Sequence, residues 1–501
     1  MDTSLSLSPV PGRLVGALDN SYARLPERFY VRLPPVPVAA PRLVKLNVPL
    51  ARQLGLDPDA LASTEGVEIL AGNRLAEGSD PIALAYAGHQ FGNFVPQLGD
   101  GRAVLLGEVI DRDGRRRDIQ LKGSGPTPFS RRGDGRAAMG PVLREYIVSE
   151  AMAALGIPTT RSLAAVATGE QIARETMLPG AVLTRVASSH VRVGTFQFFA
   201  ARGDVEALKL LADHVIDRHY PEAREAGQPY RRLFECVIDR QAALVAQWLG
   251  VGFIHGVMNT DNVSIAGETI DYGPCAFMDA HHPETVFSSI DQFGRYAYGK
   301  QPQIAGWNLA RLGEALLPLF SDDTDAALAQ ANESLGRYGE RFAAAYQAVM
   351  RRKLGLSSVQ EEDAALGRAF LELLADNGID HTLAFRHLGD AAAGDETGLR
   401  SLFDEPAMLE PWIARWRGRL AAEPRDGTVR RAAMHETNPI YIPRNHRVEA
   451  ALAAAVERQD FGPFEELLTV LARPFEARPQ YAAYAEPPAE DQRVYRTFCG
   501  T

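Results

Sequence analysis

The segment HGVMNTDN (255–262), followed by IDYG (270–273), concentrates the side chains best suited to chemistry. Asp261, Asn262 and Asp271 offer hard oxygen atoms, and magnesium asks for few of these because water and substrate phosphate complete its octahedron. A carboxylate left over from metal binding can take a proton from a hydroxyl within hydrogen-bond reach. The same residues also suit an Asx-turn, in which Asp and Asn bond their own backbone. Upstream, Lys122 ends the apolar run DIQLKG, where a charge needs solvent or a partner, and Glu145 on the next helical stretch is such a partner. A strand-end lysine can instead run its ammonium out to water. Arg185 and Arg192, in LTRVASSHVRVGTF, add guanidinium forks of the shape that grips phosphate oxygens in pairs.

Two glycine-rich stretches accompany them. In GDGR (99–102) the glycines let backbone N–H groups approach an anion, although such a turn is also an ordinary hairpin connection. GSGPTPFSRRGDGRAAMGP (123–141) is too long and glycine-rich for a mere connection, and its arginines and GDG could fold over phosphates.

These groups must be carried by a strand-rich region and then a helical one. From about 81 to 200 the chain reads as strands and glycine turns, and from about 204 to 475 mostly as helix. FVPQL (94–98), RAVLLGEVI (102–110) and RRRDIQLKG (115–123) alternate with tight turns, which predicts two hairpins in series and three antiparallel strands. A helix is predicted over 141–155, with Pro141 opening it and Gly156 closing it. Its stripe is Leu143, Ile147, Ala151 and Leu155, with Glu145 off that stripe. Further helices are predicted over 205–220, 230–250, 323–350, 360–376 and 447–473, and loops over 389–398 and 474–488. The stretch 252–277 reads as a functional loop and a short hairpin whose far arm holds Asp271. His281 and His282 read as a surface loop before Pro283.

Composition bounds the rest. The 501 residues carry 53 basic and 63 acidic side chains, a net charge of −10, which argues against a nucleic-acid binder. At this length more than one lobe is expected. No membrane span or signal peptide is apparent, so a cytoplasmic protein is expected. Three cysteines, Cys236, Cys275 and Cys499, are too few for a secreted disulfide scaffold, and Cys236 reads as a core thiol.

The order glycine loop, strand lysine, helix glutamate, H-G-…-D-N loop and D-Y-G resembles the protein-kinase plan. It departs from that plan in lacking HRD and in setting Asp261 and Asn262 side by side. Over nearly its whole length the sequence resembles the selenoprotein O family of protein nucleotidyltransferases. The resemblance rests on DNSYARLPERFY (19–30), YAGHQFGNFVPQLGDGRA (86–103), LKGSGPTPFSRRGDGRA (121–137), VLREYIVSEAM (142–152), GFIHGVMNTDNVSIAGETIDYGPCAFMD (252–279) and NPIYIPRN (438–445).

That resemblance implies an α+β, protein-kinase-like bilobal fold with a strand-rich N-lobe, a mainly helical C-lobe and a C-terminal helical extension. The corresponding divisions are 1–80 as an extension packing on the lobes, 81–200 as nucleotide-binding N-lobe, 201–320 as catalytic core and 321–501 as helical extension with a redox tail. It implies transfer of AMP from ATP, or UMP from UTP, to Ser, Thr or Tyr hydroxyls of proteins, with ATP inverted and diphosphate released. Gly99, Gly101, Arg102, Lys122, Asp134, Gly135, Arg185, Arg192 and Asp271 would contact nucleotide. Asp261 would be the base, Asn262 and Asp271 would hold Mg²⁺ or Mn²⁺, Glu145 would pair with Lys122, and Cys275 would bridge to Cys499. The protein would act as a monomer. A kinase-type phosphotransferase and a nucleotide-binding pseudokinase scaffold are the alternatives.

Overall fold

The computed structural model describes residues 18–498. It is an α+β structure in which an antiparallel sheet meets a larger helical body. The sheet runs in the order Tyr30–Arg32, Ile82–Leu84, Ala103–Ile110, Arg116–Lys122, Met177–Ala187, Arg161–Ala173, Arg42–Leu46. Alternation along each strand decides what covers each face. Ile119, Leu121, Val182 and Val186 point to a core shared with the N-terminal helices, which supply Leu50, Leu61 and Leu70. Ala181 and Leu183 join the opposite core, under the helix Met139–Ala154.

That helix is buried on nearly every side, Glu145 included, although the four-residue periodicity suggested a single stripe. The reason lies far along the chain. The helices Asn445–Arg458 and Gly462–Leu471 pack over it, so Tyr146 and Phe464 meet with ring centroids 5.8 Å apart. The last helices of the chain therefore complete the core of the strand-rich half.

The helical body is built round Pro229–Gly250, against which Val205–His219 and Gln301–Phe320 pack. A further set, Tyr338–Lys353 to Gly427–Thr437, closes on its own core of Phe370, Trp412 and Trp416. Among the described residues no helix is long and apolar enough to cross a membrane.

Four local expectations are corrected. The run 94–98 does not pair with Ala103–Ile110. Its strand, Asn93–Val95, pairs with Gly88–Gln90 in a separate small sheet, and residues 98–100 hydrogen-bond to Tyr86 and Leu84 instead. The two arms expected to form a hairpin after Asp261 pair elsewhere, Ser264 with Arg192 and Thr269 with Thr159. His281 is not on a surface loop: it is buried and stacks on His381 at 5.2 Å. The loop expected over 389–398 is shortened by the helix His381–Ala392, because Leu388 and Ala391 are needed in the core.

Phe464→Ala should cost about 3–5 kcal/mol by leaving a cavity against Tyr146. A thermal or denaturant midpoint equal to that of the parent would show the extension to be a passenger.

Candidate active site

Strand register sets the first half of the site. Leu183 lies opposite Lys122 and Arg185 opposite Gln120, so Lys122 and Arg185 emerge from adjacent strands on one face, toward the 139–154 helix. Glu145 on that helix receives both: Lys122 Nζ lies 2.6 Å from Oε2, and Arg185 Nε donates to Oε1 at 2.8 Å. Arg192 precedes the helix Val193–Ala200 and lies over the Tyr86 ring at 4.7 Å.

Asp271 draws these cations together. Its Oδ1 accepts from Arg185 at 2.7 Å and from Lys122 at 3.3 Å, and its Oδ2 accepts from Arg192. Its backbone is left-handed, φ 61°, a conformation that a non-glycine residue keeps only where surroundings over-determine it. Burial pushes Asp271 and Glu145 toward the neutral form, but in Asp271 the fields of Arg185, Arg192 and Lys122 outweigh it, and in Glu145 those of Arg185 and Lys122 do. Both carboxylates are held below their usual range. Burial, together with the charge of Arg185, lowers Lys122. Three basic side chains thus meet two ionised carboxylates, an arrangement that favours a further anion.

Asp261 is handled in the opposite way. It is 8% exposed, its Oδ1 has no hydrogen-bond partner, and Oδ2 receives only Gln90 Nε2, at 3.3 Å. Burial raises its carboxyl from 3.8 to about 6, against the opposing pull of Arg192. Arg192 also donates to the Asp261 backbone carbonyl at 2.6 Å, so one guanidinium ties both aspartates. Asn262 commits its Nδ2 to the Val257 carbonyl at 2.9 Å, leaving its Oδ1 as the possible ligand atom. The orphaned Asp261 Oδ1, the Asn262 amide oxygen and Asp271 are hard oxygens of the type a divalent cation takes. Among the described residues no group of three His, Cys, Asp or Glu side chains forms a metal cage. A cation here would rest on few protein oxygens, which suits magnesium.

These residues line a cleft of about 1040 Å³ between sheet, helical body and extension. Gly99, Gly101, Arg102, Asp134 and Gly135 line it as well. The amides of Gly99, Asp100 and Gly101 are already bonded to Tyr86, Leu84 and Gly99 carbonyls. Gly99, at φ 69°, is required for packing, since a Cβ there would stand 2.3 Å from the Phe129 ring. Asp134 is engaged by Arg174 at 2.8 Å. Cys275 is buried, whereas Cys499 lies outside the described residues.

Sequence reasoning assigned no role to Tyr86, Gly88, Gln90 or Asn259, which bring the hairpin 86–95 onto the loop 255–262 that holds Asp261. Asn259 Oδ1 accepts from the Phe91 amide at 3.0 Å and from the Tyr296 hydroxyl at 2.7 Å. A Cβ at Gly88 would stand 2.5 Å from Asp261 Oδ1, so only glycine lets this strand lie there. The signal was the segment YAGHQFGN itself, whose polar His89, Gln90 and Asn93 lie on either side of the turn at 91–92.

A carboxyl whose folded value lies above its unfolded one contributes stability at low pH that is lost as pH climbs through the folded value, here about 6. Asp261→Asn should therefore stabilise the fold at pH 7 by about 2–3 kcal/mol, with the gain vanishing near pH 4. Denaturant unfolding of parent and variant across that range measures it, and a gain independent of pH would contradict the assignment.

The sequence matches the family model described as protein adenylyltransferase SelO over residues 15–472. Relatives named protein nucleotidyltransferase YdiU include one from Rhodopseudomonas palustris strain BisB18, 67% identical over 96% of this chain and 99% of its own length. Others come from Methylorubrum populi, 65% identical over 96% and 99%, and from Bradyrhizobium sp. strain BTAi1, 64% identical over 96% and 98%. With the cation cluster and the lone aspartate both in place, the chain belongs to the SelO family.

Proposed function

We propose that this protein transfers a nucleotidyl group, AMP from ATP or UMP from UTP, to Ser, Thr or Tyr hydroxyls of other proteins. The observation that carries the reading is the contrast between two aspartates in one cleft: Asp271 saturated with cations and Asp261 left with an unpartnered oxygen. A triphosphate competes with Asp271 for Lys122, Arg185 and Arg192. The released Asp271 carboxylate, with Asn262, would then be free to hold Mg²⁺ or Mn²⁺, which would neutralise phosphate charge.

Asp261 takes the proton of the incoming hydroxyl. The hydroxyl oxygen bonds to the α-phosphorus, the bond from that phosphorus to the bridging oxygen breaks, and diphosphate leaves with the electron pair. Charge builds on the leaving diphosphate, and fixed cations stabilise such charge best because they need no reorganisation. A departing diphosphate carries more negative charge than a departing nucleoside diphosphate, and the two buried arginines beside the lysine supply cations for it, which supports attack at the α rather than the γ position.

Incubation with α-labelled and γ-labelled ATP tests the reading. Label from the α position should enter protein, and Asp271→Asn should abolish that metal-dependent incorporation. Label entering from γ alone would make the protein a kinase, and none from either would make it a nucleotide-binding scaffold.

The redox pair Cys275 and Cys499 is part of this proposal. It is supported by the tail, where Thr497 Oγ1 donates to the Pro274 carbonyl at 2.5 Å and its amide to Phe287 at 2.7 Å. Non-reducing peptide mass spectrometry of oxidised protein should find the Cys275 to Cys499 link. Only unlinked peptides would remove this part and leave the transferase reading standing.

A further inference from the structure

Beside the catalytic cleft lies a second groove of about 610 Å³, and the two share Phe91 and Ile290 in their walls. One bank is the tip of the hairpin 88–95, pinned to the catalytic loop through Asn259. The other is the segment 290–304, in which Phe293 is 92% exposed and Ile290 51% exposed. An apolar patch of this kind, left open next to a reaction site, marks an interaction surface.

Its charge is one-sided. Arg295 lies 4.9 Å from the Trp307 ring, its Nε has no hydrogen-bond partner, and among the described residues no carboxylate stands within ion-pair distance of it. Lys300 reaches only Glu284, at 3.6 Å, and the Gly294 carbonyl. The groove's own carboxylate, Asp291, is buried and spent on the amides of Arg295 and Tyr296 at 2.8 and 2.7 Å. What remains for a visitor is the Arg295 guanidinium and the loosely paired Lys300, framed by aromatic and aliphatic surface.

From this we infer that the groove binds an extended segment of the protein substrate carrying an acidic residue next to a large apolar one, close to the modified hydroxyl. Arg295 and Lys300 take the acid, and Phe293 and Ile290 take the apolar side chain. The shared walls let the same segment continue to Asp261. The inference rests on the proposed transfer to proteins and adds which neighbours of the hydroxyl are preferred.

The test uses the full chain and two fluorescent serine peptides, identical except that glutamates flank a phenylalanine in one and lysines in the other. Binding is read by anisotropy and transfer by α-labelled ATP. The parent should favour the glutamate peptide in both assays by about fivefold, the scale of a partly exposed ion pair. Arg295→Glu should reverse that ranking, and Phe293→Ala should weaken both peptides, each with an unchanged KM for ATP. Should Arg295→Glu fail to fold, Lys300→Glu supplies the charge arm. Equal handling of both peptides by parent and variants would overturn the groove while transfer persists. A raised KM for ATP in the variants would overturn it too, by making this a nucleotide subsite, as would a shift from dimer to monomer in Phe293→Ala, by making it a self-association face. Peptide binding with the predicted ranking but no transfer would uphold the groove and fail the transferase.

Discussion

The structure turns on a single carboxylate. Asp271 is shared by Lys122, Arg185 and Arg192, which reach it from two strands and the start of a helix, and Glu145 braces two of the three from behind. Withdrawing this many charges from water costs several kcal/mol per ion and is offset only where geometry and hydrogen bonding are complete. The sheet register, the tilt of the 139–154 helix and the strained turn at Asp271 are therefore not free to drift. An error of one residue in the register between Arg116–Lys122 and Met177–Ala187 would turn Lys122 or Arg185 to the opposite face.

The C-terminal extension serves the same constraint from outside. Arg144, the neighbour of Glu145, donates to the Gly273 carbonyl at 3.2 Å and to Glu449 at 2.9 Å, so the bracing helix is wired both to the segment after Asp271 and to the helix 445–458. Arg444 does likewise farther out, pairing with Asp279 and Asp380. Two buried arginines thus fasten the bracing helix, the segment after Asp271 and the extension to one another, and Phe464 fills the remaining space against Tyr146.

This division explains what the sequence could disclose. Lys122, Asp261 and Asp271 stood out because a charged residue closing an apolar run, or crowded with Asn and Gly between two of them, needs a reason that local structure does not provide, and Glu145 followed as the partner that Lys122 needed. The helices 205–219 and 229–250 were legible from periodicity, a local property. Misread were segments whose partners are remote. The strand at 93–95 pairs backward with 88–90 because Asn259 and Thr260 hold the hairpin tip and its first strand, and His281 is drawn inward by His381, one hundred positions on. The helix carrying Glu145 showed only one stripe because the helices that cover its other sides lie some three hundred residues away, a distance that periodicity does not see.

The glycines tell the same story from the side of chemistry. In a phosphate loop, glycine frees backbone amides to surround the anion. Here the amides at 99–101 are consumed by carbonyls of the adjacent chain, and the space saved at Gly99 is filled by Phe129. Arg174 similarly occupies Asp134. In the proposed reaction the burden of holding phosphate then falls on charged side chains, whose fields reach farther than amide dipoles and can be traded between partners. A site built from amides binds an anion in one fixed geometry, whereas Lys122, Arg185 and Arg192, held on Asp271 in this structure, are cations that the proposed reaction would transfer from that carboxylate to a phosphate.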